Sequence, residues 1–163
     1  MRKIKSTALL KYAVSECTIN IVKFYPTCET NPMKIERIDH FGLTVASFAA
    51  TCECYSRVVG MQVVRFESMG TARVALAFGT QKINLHQADA VPDPNVLKPT
   101  PGSADFCLTT ETPMDEVITH LQREGVGLIL GPVARTGATG RMISVYVRDP
   151  DLNLVEIANY VAA

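Results

Sequence analysis

From Arg37 onward the chain alternates apolar and polar side chains. Phe41, Leu43 and Val45 fall on one side, with Ile38, His40, Gly42 and Thr44 on the other. A period of two marks a strand with one buried face, so Arg37–Ala46 is predicted as a strand. Ser47 then offers an N-cap hydroxyl and Gly60 a residue suited to a helix C-cap, which brackets a helix between them. Met61–Glu67, Ala72–Phe78 and Gln81–Gln87 read as three short strands, with turns at Met69-Gly70 and Gly79-Thr80. Ala88–Gly102 holds four of the nine prolines and reads as an exposed linker.

The pattern then repeats. Ser103–Glu111 is a predicted strand, and Thr112 with Pro113 reads as an N-cap followed by proline at the first helical position. Met114, Val117, Ile118 and Leu121 form an apolar stripe at helical spacing, and Gly125 ends that helix. Val126–Leu130 is read as a strand, Pro132–Gly140 as a loop, Met142–Arg148 as a strand, Asp149-Pro150-Asp151 as a turn and Leu152–Tyr160 as the last strand. The chain is thus α+β, with two tandem βαβββ modules at about 35–90 and 103–162 joined by the 88–102 linker. A single module of this size has too little core to stand alone, so the two are expected to pack together.

Composition narrows the class. Of 163 residues 47% are apolar and 20% charged, which excludes a disordered chain, and no apolar run reaches the length of a membrane span. A formal net charge of zero disfavours nucleic acid or an anionic membrane as partner. The zero is an average. Residues 1–32 carry five cations against two acids, and residues 33–163 carry 11 against 14. Residues 1–32 read as a basic leader, either upstream of a natural start at Met33 or a disordered arm, with an organellar presequence as the alternative. Five cysteines, Cys17, Cys28, Cys52, Cys54 and Cys107, have no framework spacing and suit reduced thiols in a cytoplasmic protein.

Four polar residues stand inside the predicted strands. His40 and Asp105 lie in the first strand of each module, His86 and Glu156 in the last. The two intervals are 46 and 51 residues, a difference the longer second-module loop can absorb, so the same two stations carry a ligand-type residue in both modules. Alternation puts all four on the faces opposite Phe41/Leu43, Ile83/Leu85, Phe106/Leu108 and Val155/Ile157. Two imidazoles and two carboxylates suit a divalent ion such as Zn, Ni, Mn or Fe with positions left for water or substrate. The competing reading is the solvated face of an antiparallel sheet. His120, near a helix end, reads as helix-end electrostatics. In the glycine-rich stretch Gly131–Arg141, Arg135 or Arg141 could hold a carboxylate or phosphate, and Tyr146 could line the same cavity.

Ile38-Asp39-His40-Phe41-Gly42-Leu43, Lys82-Ile83-Asn84-Leu85-His86 and Arg148-Asp149-Pro150-Asp151-Leu152-Asn153-Leu154-Val155-Glu156 resemble the vicinal oxygen chelate superfamily, which includes glyoxalases, fosfomycin-resistance proteins and extradiol dioxygenases. Gly102-Ser103-Ala104-Asp105, Gly131-Pro132-Val133 and Arg135-Thr136-Gly137-Ala138 narrow the resemblance to its glyoxalase-domain and lactoylglutathione-lyase-like virulence proteins. The resemblance implies a metal cup, with His40 and Glu156 at the family's most constant ligand positions and His86 and Asp105 at the variable ones. Relative to glyoxalase I those two donor types are exchanged. It further implies a metal-dependent lyase or isomerase with Glu156 as proton-transfer base, acting on a small molecule, such as a thiol conjugate, with adjacent oxygens. A homodimer is also implied. Two alternatives stay open: an Fe or Mn dioxygenase using His40, His86 and Glu156, and a non-catalytic binding or sequestering protein.

Overall fold

The computed structural model describes residues 33–162. The predicted leader, 1–32, lies outside them. The chain divides between Glu36 and Arg37, and the unit that begins at Arg37 carries both modules.

Module one runs β1 (His40–Val45), α1 (Phe48–Val58), β2 (Gln62–Ser68), β3 (Thr71–Phe78) and β4 (Gln81–Gln87). Module two runs β5 (Asp105–Thr109), α2 (Met114–Arg123), β6 (Leu130–Thr136), β7 (Arg141–Arg148) and β8 (Leu154–Tyr160). Each module folds into its own four-stranded mixed sheet, in the orders β1-β4-β3-β2 and β5-β8-β7-β6. The first and last strand of each module pair in parallel, and the other pairs are antiparallel. The expected α+β repeat is therefore present, with a crossover helix in each half.

The predicted apolar faces are buried as alternation requires. Leu43, Val45, Ile83, Leu85 and Leu76 of the first sheet share one core cluster with Val145, Val147, Val155 and Ile157 of the second. Tyr55 and Val58 of α1 and Val117 and Leu121 of α2 fill that cluster between and over the sheets. Ser47 caps α1 as predicted, its side chain accepting from the Ala50 N–H.

Three local readings change. Val126–Ile129 is irregular, and most of the stretch read as a loop belongs to β6. Proline cannot donate to a sheet ladder, but Pro132 sits on an edge strand where the register shifts between Leu130 and Val133, so no ladder bond is lost. Gly131 next to it has φ of 114°, and a Cβ there would meet the Ser144 carbonyl oxygen at 2.5 Å. The cap of α2 is Pro113 without a side-chain hydrogen bond, one residue later than Thr112. Asp115 and Glu116 instead favour its positive end. At the end of β7, Arg148 donates to the Leu152 carbonyl at 2.8 Å.

The joint between modules is polar and specific. Asp149, 6% exposed, accepts from the Tyr55 hydroxyl at 2.9 Å, from the Asn153 side-chain amide at 2.8 Å, and from the backbone N–H groups of Asp151 and Asn153 at 3.0 and 2.8 Å. Asp151 accepts from the Ala46 N–H, and Asn153 Oδ1 from the Ala104 N–H. On the other side His120, read from sequence as helix-end electrostatics, bonds the Val58 carbonyl at the end of α1 through Nε2 at 2.9 Å. Arg57 reaches the Glu124 carboxylate beside it.

Burial first, and then the Asp149 charge, push the Tyr55 hydroxyl far above the ordinary tyrosine range. Because the folded value is raised, the stability it contributes is complete below the unfolded value near about 10 and is lost as pH rises through the folded one. Tyr55→Phe is expected to cost about 1.5–3 kcal/mol in urea unfolding, as for a hydrogen bond to a charged group. In an alkaline titration the Tyr55 phenolate absorbance should appear only with unfolding, and this delayed component should be missing from the variant. A component that titrates before unfolding contradicts the assignment.

Candidate functional site

The outer face of the first sheet is set by register. His40, Gly42 and Thr44 on β1 stand beside Lys82, Asn84 and His86 on β4. Arg73 on β3 follows one step beyond the Val74–Leu85 pair, alongside His86, and it pairs with Phe66 on β2. All of these but Thr44 line a cleft of about 420 Å3, bordered also by Pro92, Asp93 and Pro94 of the linker.

His40 and His86 are positioned differently. His40 Nδ1 bonds the Asp39 carboxylate at 2.8 Å, an arrangement that fixes the ring and leaves Nε2 free. That contact also holds the Asp39 carboxyl below its usual range. The His86 ring lies over Gly42: a Cβ there would stand 2.9 Å from His86 Cε1, so the glycine makes room for the imidazole. Burial, then the nearby Arg73 charge, lowers the His86 pKa, which favours the neutral ring and its free lone pair.

The second sheet presents the other half. Glu156 on β8 stands between Cys107 on β5 and Tyr146 on β7. Glu156 Oε1 is buried and has no hydrogen-bond partner among the described residues. Burial and the adjacent Glu156 carboxylate push the Cys107 thiol up to about 11. Arg135 donates from Nε to the Tyr146 hydroxyl at 2.9 Å and stacks over its ring at 5.4 Å. Arg135, Tyr146 and Glu156 are thus on one face. Arg141 is not: alternation along β7 puts it on the side opposite Met142, Ser144 and Tyr146. Asp105 is exposed at the start of β5, opposite Leu154.

The ladders correct the station matching read from sequence intervals. With His40 set equal to Asp105, Gly42 matches Cys107, and their ladder partners are Asn84 and Glu156. Asn84, two residues before His86, therefore holds the station of Glu156. Its Oδ1 is also buried without a partner. Equal intervals could not reveal this, because the extra residues of module two lie in several connections. Arg73, Lys82 and Cys107 were missed as well. Their signal was the same period-two alternation, which placed Cys107 and Asn84 beside candidate ligands.

A model of the Glyoxalase/Bleomycin resistance protein/Dioxygenase superfamily matches residues 37–157. The chain belongs to that superfamily. Within it, the chain is 47% identical over 137 residues to virulence protein STM3117 of Salmonella typhimurium, covering 84% of this chain and 93% of the relative. The crystal structure of that protein superposes with a TM-score of 0.76 at 48% identity, over 79% of this chain and all of the other. Glyoxalase domain-containing protein RDO1 of Mycosarcoma maydis is 43% identical over 128 residues, 78% of this chain and 70% of the relative. Lactoylglutathione lyase of Agrobacterium tumefaciens shares the fold, with a TM-score of 0.59 at 22% identity over 78% and 96% of the two chains.

Superfamily members often hold a divalent metal, and the donor chemistry here fits one. A ring-oriented His40, a neutral-favouring His86 and an unpartnered Glu156 oxygen are ligand types for such an ion. Among the described residues, however, no three His, Cys, Asp or Glu side chains converge. No residue of module two lines the His40–His86 cleft. The donors form two half-sets, one on each sheet.

Gly42→Ala is expected to displace the His86 ring while changing stability by no more than about 1 kcal/mol, since an alanine otherwise suits a strand interior better than glycine. Imidazole NMR signals of His86 should shift markedly with those of His120 unchanged. An unmoved His86 signal would show that the ring does not rest on Gly42.

Proposed function

We propose that this chain is a divalent-metal-dependent lyase or isomerase of the glyoxalase type, acting on a small molecule with two adjacent oxygens. The observation that carries the reading is the pair of buried, unpartnered oxygens, Asn84 Oδ1 and Glu156 Oε1, at matching stations of the two sheets. Buried polar atoms are nearly always satisfied, and those that are not point to a missing ion, water or ligand.

The metal would be held by His40 and Glu156 together with His86 and Asp105, and Asn84 offers a further oxygen on the His86 face. Zn, Ni, Mn or Fe at that place would supply Lewis acidity toward the adjacent oxygens. Glu156 is the group suited to take a proton from the substrate carbon and return it to the neighbouring one, because one of its oxygens has no competing bond. Arg135, held by the Tyr146 hydroxyl and ring, is placed to bind a substrate anion beside it. Each half-set alone is short of donors, which supports a homodimer in which a site draws on two copies of the chain. The likeness to lactoylglutathione lyase supports the reaction class, and a thiol conjugate is the proposed substrate type. Among the described residues no helix is long and apolar enough to cross a membrane, and a cytoplasmic location is proposed from the reduced thiols.

Metal content tests the reading. Purified wild-type protein reconstituted with each of the four ions should retain one of them at close to one ion per chain. His40→Ala and Glu156→Ala should each lower retention at least tenfold with folding intact. Wild-type protein that retains none after reconstitution contradicts the proposal.

A further inference from the structure

The cleft on the first sheet carries more positive charge than a metal half-set needs. Arg73 is only partly exposed, yet it has no hydrogen bond or ion pair among the described residues. Lys82 Nζ lies 4.5 Å over the Phe66 ring and has no carboxylate within ion-pair distance. Both line the cleft with His40, His86 and Asn84, and its one acidic residue is Asp93, exposed on the linker rim. The Arg73 guanidinium faces the cleft with its donors uncommitted, and that planar fork matches a carboxylate with two parallel bonds.

We propose that Arg73, assisted by Lys82, binds a carboxylate of the substrate in this cleft, with Asn84 Oδ1 accepting from a neighbouring hydroxyl. This deepens the functional reading above by naming the substrate class, a molecule carrying a 2-hydroxycarboxylate group, the thiol conjugate proposed there included, rather than a neutral carbonyl compound. With Asp93 on the rim and the Asp39 carboxylate bonded to His40, Arg73 and Lys82 leave little net positive charge, which favours a monoanion over a phosphate dianion. In the metal-free protein the orphaned Asn84 oxygen is open to a donor on the ligand, and a hydroxyl beside the carboxylate supplies one. Arg73 is assigned as a binding and specificity residue on the sheet opposite Arg135, so the two arginines would hold different ends of a ligand.

The test uses metal-free full-length protein, so that it stands apart from the metal reading. Glycolate, its neutral isostere glycolamide and inorganic phosphate are titrated separately at constant ionic strength, with backbone amide and His86 ring signals followed by NMR. Glycolate should give saturable shifts at Gly42, Asn84 and His86, with affinity at least tenfold above glycolamide. Arg73→Met should weaken glycolate at least tenfold and Lys82→Met about threefold, while Arg73→Lys restores part of the loss. Equal response to glycolate and glycolamide overturns the proposal, and this comparison needs only wild-type protein. Unchanged glycolate affinity in folded Arg73→Met also overturns it, and a preference for phosphate overturns the carboxylate assignment. Loss of metal retention with glycolate binding intact would refute the metal reading alone.

Discussion

A single buried carboxylate, Asp149, holds the two modules in register. Its charge is withdrawn from water and is tolerable only because four donors surround it, one from α1 of module one and three from its own turn. Removing one donor leaves that charge under-satisfied, so the turn between β7 and β8 and the seat of α1 are fixed together. The same turn forces Leu152 to φ of 69°, a conformation that costs a side-chain-bearing residue about 1–2 kcal/mol. The Asp149 bonds on either side keep it there, and the Leu152 carbonyl is used by Arg148. Glu156 follows directly on β8, so the position of the candidate base inherits the rigidity of this network.

The site has a different logic from the core. One face of each sheet is packed under helices, and the opposite faces collect the polar residues: two histidines and two unpaired cations on the first, Glu156, Cys107 and the Arg135–Tyr146 pair on the second. Among the described residues neither face gathers three His, Cys, Asp or Glu side chains. In the proposed function the two sheets would act as complementary half-sites, one rich in cations and imidazoles and the other built around a carboxylate. Such a division suits a ligand that bridges them and explains why buried oxygens on both remain without partners.

Much of this was legible in the sequence. Strict alternation fixed which side chains of β1, β4, β5 and β8 face away from the core, and Ser47 and Gly60 bracketed α1 to within two residues. The four ligand-type residues do lie on the outer faces. Less legible was anything depending on register between distant strands. Intervals of 46 and 51 residues suggested His86 as the partner of Glu156, whereas the hydrogen-bond ladders select Asn84. The Gly-Pro stretch hid β6, because proline signals a loop unless an edge strand and a bulge are known to be present. Arg73 escaped notice because an arginine in a strand is ordinary; only the absence of a carboxylate near it makes it informative.

The most direct measurement is anomalous diffraction at the absorption edges of Zn, Ni, Mn and Fe from crystals of metal-reconstituted protein. The account predicts one strong peak per chain in contact with His40 Nε2 and with the Glu156 carboxylate, the two contributed by different copies of the chain. A peak away from both residues, or none at any edge in fully reconstituted protein, would contradict it.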